Sequence, residues 1–408
     1  MYTKLTESIQ STRAGQEAAA IISKCVHCGF CTATCPTYQL LGNELDGPRG
    51  RIYLIKQIVE GHPATAKTQL HLDRCLTCRS CESTCPSGVE YGHLVEIGRE
   101  LVDAQVPRPL LQSLTRTALK TVLPRSWLFS PILRSGQLLR PLLPKNLATK
   151  IPKKQAAGIR PGRSHQRKML MLEGCVQPSL SPNINNATAR VLDRFGIQLL
   201  PASGCCGALR SHLSDREGGL ADARRNIDAW LPQLDSGIET LVMTASGCGS
   251  MVKDYGHLLA HDPLYADKAA RVSAATKDIS DILFELRSQF VVHPQMTDGS
   301  DADSVAYHPP CTLQHGQQNR GKVEQILEAV GIPVKRCADS HLCCGSAGTY
   351  SILQPELSVT LRDQKLQQLQ ATGASSIVSA NIGCIGHLQS GTATPVRHWI
   401  ELLELRLV

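Results

Sequence analysis

Eight cysteines near the start of the chain carry the clearest chemistry. The first run is Cys25-Val26-His27-Cys28-Gly29-Phe30-Cys31-Thr32-Ala33-Thr34-Cys35-Pro36, and the second is Cys75-Leu76-Thr77-Cys78-Arg79-Ser80-Cys81-Glu82-Ser83-Thr84-Cys85-Pro86. Both read C-x2-C-x2-C-x3-C-P. Three thiolates on one tight loop reach three irons of a [4Fe–4S] cubane, the fourth follows a short turn, and the proline redirects the chain. Zinc sites favour ligands in spaced pairs, and disulfide frameworks belong to small secreted domains. Two identical runs 50 residues apart therefore predict two cubanes. A four-thiolate cluster is anionic, so Arg49 and Arg51, between the runs, are candidates for stabilising its reduced state. The alternative for both is a solvated turn.

The spacing resembles that of bacterial two-cluster ferredoxins, in which the fourth cysteine of each run ligates the other cluster. The resemblance implies one cluster on Cys25, Cys28, Cys31 and Cys85, and a second on Cys75, Cys78, Cys81 and Cys35. Around these loops the apolar spacing predicts helices: residues 1–24, the stretch holding Ile52, Ile55 and Ile58, then 66–73 and 91–104. The expected unit is a helical ferredoxin-like domain over 1–104, unlike the compact β-hairpin ferredoxin because its linker is long.

A second set of cysteines lies in an internal repeat. Cys175, Cys205-Cys206-Gly207 and Cys248 recur as Cys311, Cys343-Cys344-Gly345 and Cys384, with offsets of 136, 138 and 136 residues. Such agreement indicates duplication. Each copy alternates short apolar runs with helical patterns, predicting parallel α/β units over 168–290 and 300–408 with the cysteines just after strands. Thiols converging from three loops read as a candidate further iron–sulfur or zinc centre, with His387 a candidate extra ligand; the alternative is paired packing cysteines at a domain seam. His308 is expected to be a turn residue and Cys337 a core residue.

The 408 residues are 42% hydrophobic but only 4% aromatic, so the core must rest on aliphatic side chains. The net charge of +8 lies in one place: from Ala104 to Leu172 there are fourteen Lys and Arg and no Asp or Glu. That segment, 105–167, breaks apolar clusters with eight prolines. It suits a membrane surface or an acidic partner, or is a linker wrapping its own protein. Nucleic acid is disfavoured for want of stacking aromatics. The N-terminal residues lack a signal-peptide pattern and no apolar run has spanning length, so a cytoplasmic protein peripherally associated with the inner face of the cell membrane is expected.

The two cysteine runs, the linker Gly47-Pro48-Arg49-Gly50-Arg51-Ile52 and the duplicated Cys-Cys-Gly motif together resemble the iron–sulfur subunits of bacterial glycolate oxidase. They lie within a wider group that includes heterodisulfide reductase, glycerol-3-phosphate dehydrogenase and lactate-utilisation proteins. The resemblance implies an electron-transfer subunit of a flavin-dependent 2-hydroxy-acid oxidase, with FAD on a partner subunit and a quinone as acceptor. Equivalent subunits of D-lactate or glycerol-3-phosphate dehydrogenases, or a Cys-Cys-Gly redox enzyme, are the alternatives. No catalytic residue is assigned to this chain, which has no G-x-G-x-x-G dinucleotide motif. It departs from the heterodisulfide pattern at Met251 and His387, where a closing cysteine is expected, which argues against disulfide chemistry.

Overall fold

The computed structural model describes residues 1–144, 151–293 and 304–408. The first hundred residues form a cage of helices. Thr12 caps the helix Arg13–Lys24 by accepting from the Gly15 N–H, and the helix ends at Cys25, the first cysteine of run one. The helices Pro48–Val59, Ala66–Asp73 and Tyr91–Gln105 turn Ile52, Ile55, Leu72, Leu94 and Val95 into one apolar core. Gly50 is required by a close approach: a Cβ there would strike the backbone of Glu44.

The acid-free segment begins as part of this unit. Arg108 bonds Asp73 at 2.6 Å and Asp103 at 2.6 Å, and Arg116 reaches Asp73 at 3.0 Å. It continues as two helices, Leu110–Val122 and Ser126–Leu139. Leu110, Leu111, Leu114, Trp127 and Leu138 project into solvent from them, Leu138 at 80% exposure, and Leu142 does so at 82% from the 3-10 turn Arg140–Leu142 that follows. Lys145 and Lys150 lie outside the described residues.

The repeats are two parallel sheets of identical topology. The first joins β1 (Arg167–Leu172), β2 (Ile197–Ala202), β3 (Leu241–Met243) and β4 (Thr276–Asp278) in the order β2-β1-β3-β4. The second joins β5 (Val305–His308), β6 (Val334–Arg336), β7 (Ser376–Ser379) and β8 (Val396–His398) in the order β6-β5-β7-β8. The fourth strand of each sheet escaped the sequence reading. β4 and β8 are three residues long, and Lys277 and Arg397 break the apolar pattern that marks a strand. His308 is no turn residue: it closes β5, fully buried, with Nδ1 3.1 Å from Ser379 Oγ. Cys337 is buried in the core.

One apolar core runs through both sheets, from Met169 and Ile184 to Trp399 and Leu403. The helix Asn183–Arg194 of the first repeat crosses Trp399–Arg406 of the second, where Arg190 pairs with Glu404 and Asn183 donates to Glu401 at 2.7 Å. The two sheets are thereby held as one body, and the C-terminal ends of their strands carry the cysteines.

Candidate metal centres

The two cysteine loops have the same backbone. His27 and Gly29 are left-handed in the first, and Thr77 and Arg79 occupy the matching positions in the second, with φ of 52° and 60°. A left-handed β-branched residue is rare and costs backbone energy, so the surroundings must impose it. Arg99 does so. Buried, it donates to Leu72 O, Cys75 O at 2.6 Å and Thr77 Oγ1 at 3.2 Å, clamping the loop from behind. The outcome aims backbone N–H groups at sulfur: Thr77 N lies 3.4 Å from Cys75 Sγ. Such concave N–H arrangements favour anions. In both loops the fourth cysteine precedes a proline; Pro36 opens the helix Pro36–Leu41, where a missing N–H costs nothing.

Two cavities lie against each other inside the cage. Cys25, Cys28, Cys31 and Cys85 border the first, together with Val26, Phe30 and Ile52. Cys35, Cys75, Cys78 and Cys81 border the second, together with Thr37, Arg51 and Leu76. Thus Cys85 from the second run faces the first cavity, and Cys35 from the first run faces the second. Cys81 and Tyr91 border both cavities, so the dividing wall is one side chain thick. Cys28 is exposed, flanked by the exposed Val26 and Phe30; Cys35, Cys75 and Cys81 are buried.

The donor chemistry suits iron–sulfur clusters. Burial, and then the neighbouring Cys25 and Cys85, push the Cys31 thiol up to about 11. Burial drives Cys78 and Cys81 upward as well. Thiols crowded this way ionise readily only when a cationic centre compensates them, which irons do. Arg51 supplies fixed positive charge beside the second cavity. It is 1% exposed and donates to His71 O at 2.7 Å and to Thr37 Oγ1 at 3.2 Å, and Thr37 Oγ1 is 3.4 Å from Cys35 Sγ. Burial works against its charge, yet Tyr91, Cys75, Cys35 and Asp46 outweigh that penalty and hold it protonated. Asp46, fully buried, ties Arg51 to His71 and Arg74. Arg51 is therefore no solvated turn residue. Arg49 lies at the surface, paired with Glu44 at 2.6 Å.

In each repeat, four sulfurs gather in a row beyond the strand ends. Cys175 follows β1, Cys205 and Cys206 follow β2, and Cys248 lies on the helix Ser246–Lys253 after β3. Thiol contacts link 175 to 205, 205 to 206 and 206 to 248. The second row repeats the order through Cys311, Cys343, Cys344 and Cys384, the first pair at 3.8 Å. The glycine that follows each cysteine pair has a steric cause. Gly207 and Gly345 are left-handed, with φ of 91° and 86°, and a Cβ would lie 2.7 Å from Gly219 O and 2.6 Å from Ser358 O. Their N–H groups point at Cys205 Sγ and Cys343 Sγ. Contacts from the Cys175 and Cys206 thiols lower Cys205 below the usual thiol range. His387 does not join the second row: its Nε2 bonds Ser358 Oγ at 3.0 Å.

The rows differ in what they face. Cys78 and Leu76 of the second cavity pack with Cys311, Cys343, Tyr350 and Leu361 of the second row. A π-helix, Thr312–Gly316, follows Cys311 and delivers His315 to Ser83 of the second cysteine loop at 2.8 Å. Sequence reasoning missed Arg99, Tyr91, Tyr350 and His315. Arg99 and Tyr91 are distant in sequence from Cys75, Tyr350 and His315 from the second cysteine loop, and none stands in a motif.

Cysteine cavities that share a wall, with a further row of thiols against the second, place the chain among multi-centre iron–sulfur proteins. The 4Fe-4S dicluster domain matches residues 21–89, and the cysteine-rich CCG domain matches twice, at 169–253 and 305–389. The chain is 52% identical over 411 residues to the glycolate oxidase iron–sulfur subunit of Escherichia coli, covering 100% of this chain and 99% of that one. It is 32% identical to the probable glycolate oxidase iron–sulfur subunit of Bacillus subtilis, over 90% of this chain and 88% of the relative. The chain belongs to the family of glycolate oxidase iron–sulfur subunits. Lactate utilization protein A of Bacillus subtilis is 24% identical over 59% of this chain and 100% of its own length. A crystal structure of a hypothetical protein from Helicobacter pylori shares the fold, with a TM-score of 0.55 at 10% identity, covering 98% of this chain and 74% of that one.

Proposed function

We propose that the chain is the electron-carrying subunit of a glycolate oxidase, taking electrons from a flavin on a partner subunit and passing them towards a quinone. The observation that carries this reading is the series of cysteine sites with only side chains between them: the first cavity, the second cavity, then the row Cys311–Cys384. The first cluster is held by Cys25, Cys28, Cys31 and Cys85, and the second by Cys75, Cys78, Cys81 and Cys35. A bound cubane takes up and releases one electron at a time. Around these positions the chain's own residues exclude water and set charge. Tyr91 fills the wall between cavities, with its hydroxyl 3.7 Å from Cys75 Sγ. Leu76 and Tyr350 seal the second cavity against the second row. The buried guanidinium of Arg51 favours the more negative, reduced state of the second site over the first. Exposed Cys28, between Val26 and Phe30, is the point where a redox partner comes within reach.

Each row of four sulfurs also holds an iron–sulfur centre. Donor sets made wholly of thiols and the two matches to the cysteine-rich CCG domain support this reading. The chain divides into a two-cluster unit at 1–104, a basic segment at 105–167 and repeats at 168–290 and 300–408. No helix of the described residues is long and apolar enough to cross a membrane. The exposed leucines and Trp127 of the basic segment instead lie on the inner face of the cell membrane, beside anionic headgroups.

Anaerobic reconstitution with the flavin partner tests the reading. The wild-type chain restores glycolate-dependent dye reduction and the Cys25→Ser, Cys75→Ser double variant does not; full activity in that variant would sink it. Vesicles containing anionic lipid should sediment the protein at low salt and release it at high salt; Leu111→Ser, Leu138→Ser should weaken this binding without altering dye reduction.

A further inference from the structure

The helix Tyr91–Gln105 lies against the first repeat along a seam of ionisable pairs. At one end the pairing is reciprocal. His93 of the cage donates to Asp254 of the repeat at 2.9 Å, and His257 of the repeat pairs with Glu17 of the cage at 2.9 Å. The two imidazoles stack with centroids 4.0 Å apart and planes 6° from parallel. One ring nitrogen from each histidine and a carboxylate oxygen of Glu17 lie within 4.8 Å of one another, the only such group of three among the described residues. An apolar or purely structural seam gives no reason for an unsatisfied ring nitrogen, yet His93 Nδ1 is buried without a hydrogen-bond partner.

We propose that Glu17, His93 and His257 form a zinc site that pins the cluster-bearing cage to the first repeat. Two imidazoles and one carboxylate are a common zinc donor set, with ligand bonds of about 2.0–2.2 Å and water at the fourth position. Asp254 has the outer role: by accepting from His93 Nε2 it fixes the tautomer that leaves Nδ1 free to ligate, the carboxylate–histidine–zinc arrangement. The rings now lie parallel, and lone pairs on parallel rings do not converge. Coordination therefore needs one ring to turn. His257 is the one that can, because its side chain is 42% exposed and sits on a short helix, Tyr255–Leu258, whereas His93 is held by Asp254. Opposing cations are engaged elsewhere: Arg79 pairs with Glu82, and Arg216 with Glu100. The site contains no sulfur and is separate from the cysteine centres, so it stands whether or not the electron-transfer reading does.

The test uses the anaerobically purified chain with its clusters intact, checked by visible absorption, and zinc alone as the probe. The expected result is about one zinc retained through dialysis, with an X-ray absorption spectrum showing nitrogen and oxygen ligands and no sulfur. His257→Gln, chosen because an exposed side chain is dispensable for folding, should weaken zinc binding by about 100-fold or more, and Asp254→Asn by about 10- to 100-fold. Zinc that dissociates freely, zinc bound through sulfur, or equal affinity in the His257→Gln protein would each overturn the proposal and leave a hydrogen-bonded clasp.

Discussion

Replacing Arg51 should lower the reduction potential of one cluster and spare the other. The guanidinium reaches Thr37 Oγ1 in 3.2 Å, and a further 3.4 Å leads to Cys35 Sγ, so cation and sulfur are at most about 6.6 Å apart. At an effective dielectric of about 20, a unit charge at that distance contributes about 2.5 kcal/mol to an added electron, equivalent to about 100 mV. Asp46 offsets part of this, since its carboxylate is 3.7 Å from the same guanidinium. A drop of about 50–100 mV is therefore expected for Arg51→Met at the cluster bordered by Cys35 and Cys75, with a much smaller change at the other. Arg51→Lys keeps the charge and should recover most of the potential. The assay is an anaerobic redox titration followed by electron paramagnetic resonance, which separates the two signals. Removing a buried partner of Asp46 also destabilises the fold by several kcal/mol, so far-UV circular dichroism must accompany it. Equal shifts at both clusters, or an Arg51→Lys protein that behaves like Arg51→Met, would refute the electrostatic argument.

Other outcomes follow from the same geometry. Cys85→Ser should abolish the resonance signal lost in Cys25→Ser, and Cys35→Ser the one lost in Cys75→Ser; the opposite pairing would assign each run its own cluster. Iron counting on the oxygen-free protein should clearly exceed about eight per chain, and a count of about eight would mean that the rows hold no iron. Gly345→Ala should cost about 1–3 kcal/mol in denaturant unfolding, because it combines a left-handed backbone with a Cβ 2.6 Å from Ser358 O; Gly386→Ala, inside a helix with open space around it, should be neutral or stabilise by up to about 1 kcal/mol. Burial raises Asp278 to about 6, so between the ordinary carboxylate range and that value the folded state binds the extra proton and stability falls as pH rises. Asp278→Asn keeps the cap on Ser280 and should flatten this slope, with a gain on the order of 1–3 kcal/mol at pH 7.5 in urea melts.

Much of the site was legible because its chemistry is local. Cys25, Cys28 and Cys31 must share a loop to reach one cluster, so their spacing is written in consecutive residues, and Gly207 and Gly345 sit beside the cysteines whose turn they permit. The duplication was legible too, since two copies of one fold keep their cysteine offsets. The short β4 and β8 were not, because a three-residue strand buried between neighbours needs no pattern of its own.

By itself the sequence determined the donor types, their grouping into two runs and two repeats, and the family to which the chain belongs. Tertiary structure alone decided which cavity Cys35 and Cys85 border, that Arg51 is buried while Arg49 stays at the surface, that the second row packs against Cys78, that His387 bonds Ser358 instead of joining that row, and that Glu17, His93 and His257 meet. The physical reason is range. Loop spacing is set by bonds between near neighbours, whereas a buried charge or a convergent set of ligands depends on which distant segments pack together. That packing is settled by the whole apolar core, through contacts such as those of Ile55 in the cage and Trp399 in the repeats, and no short stretch of chain records it.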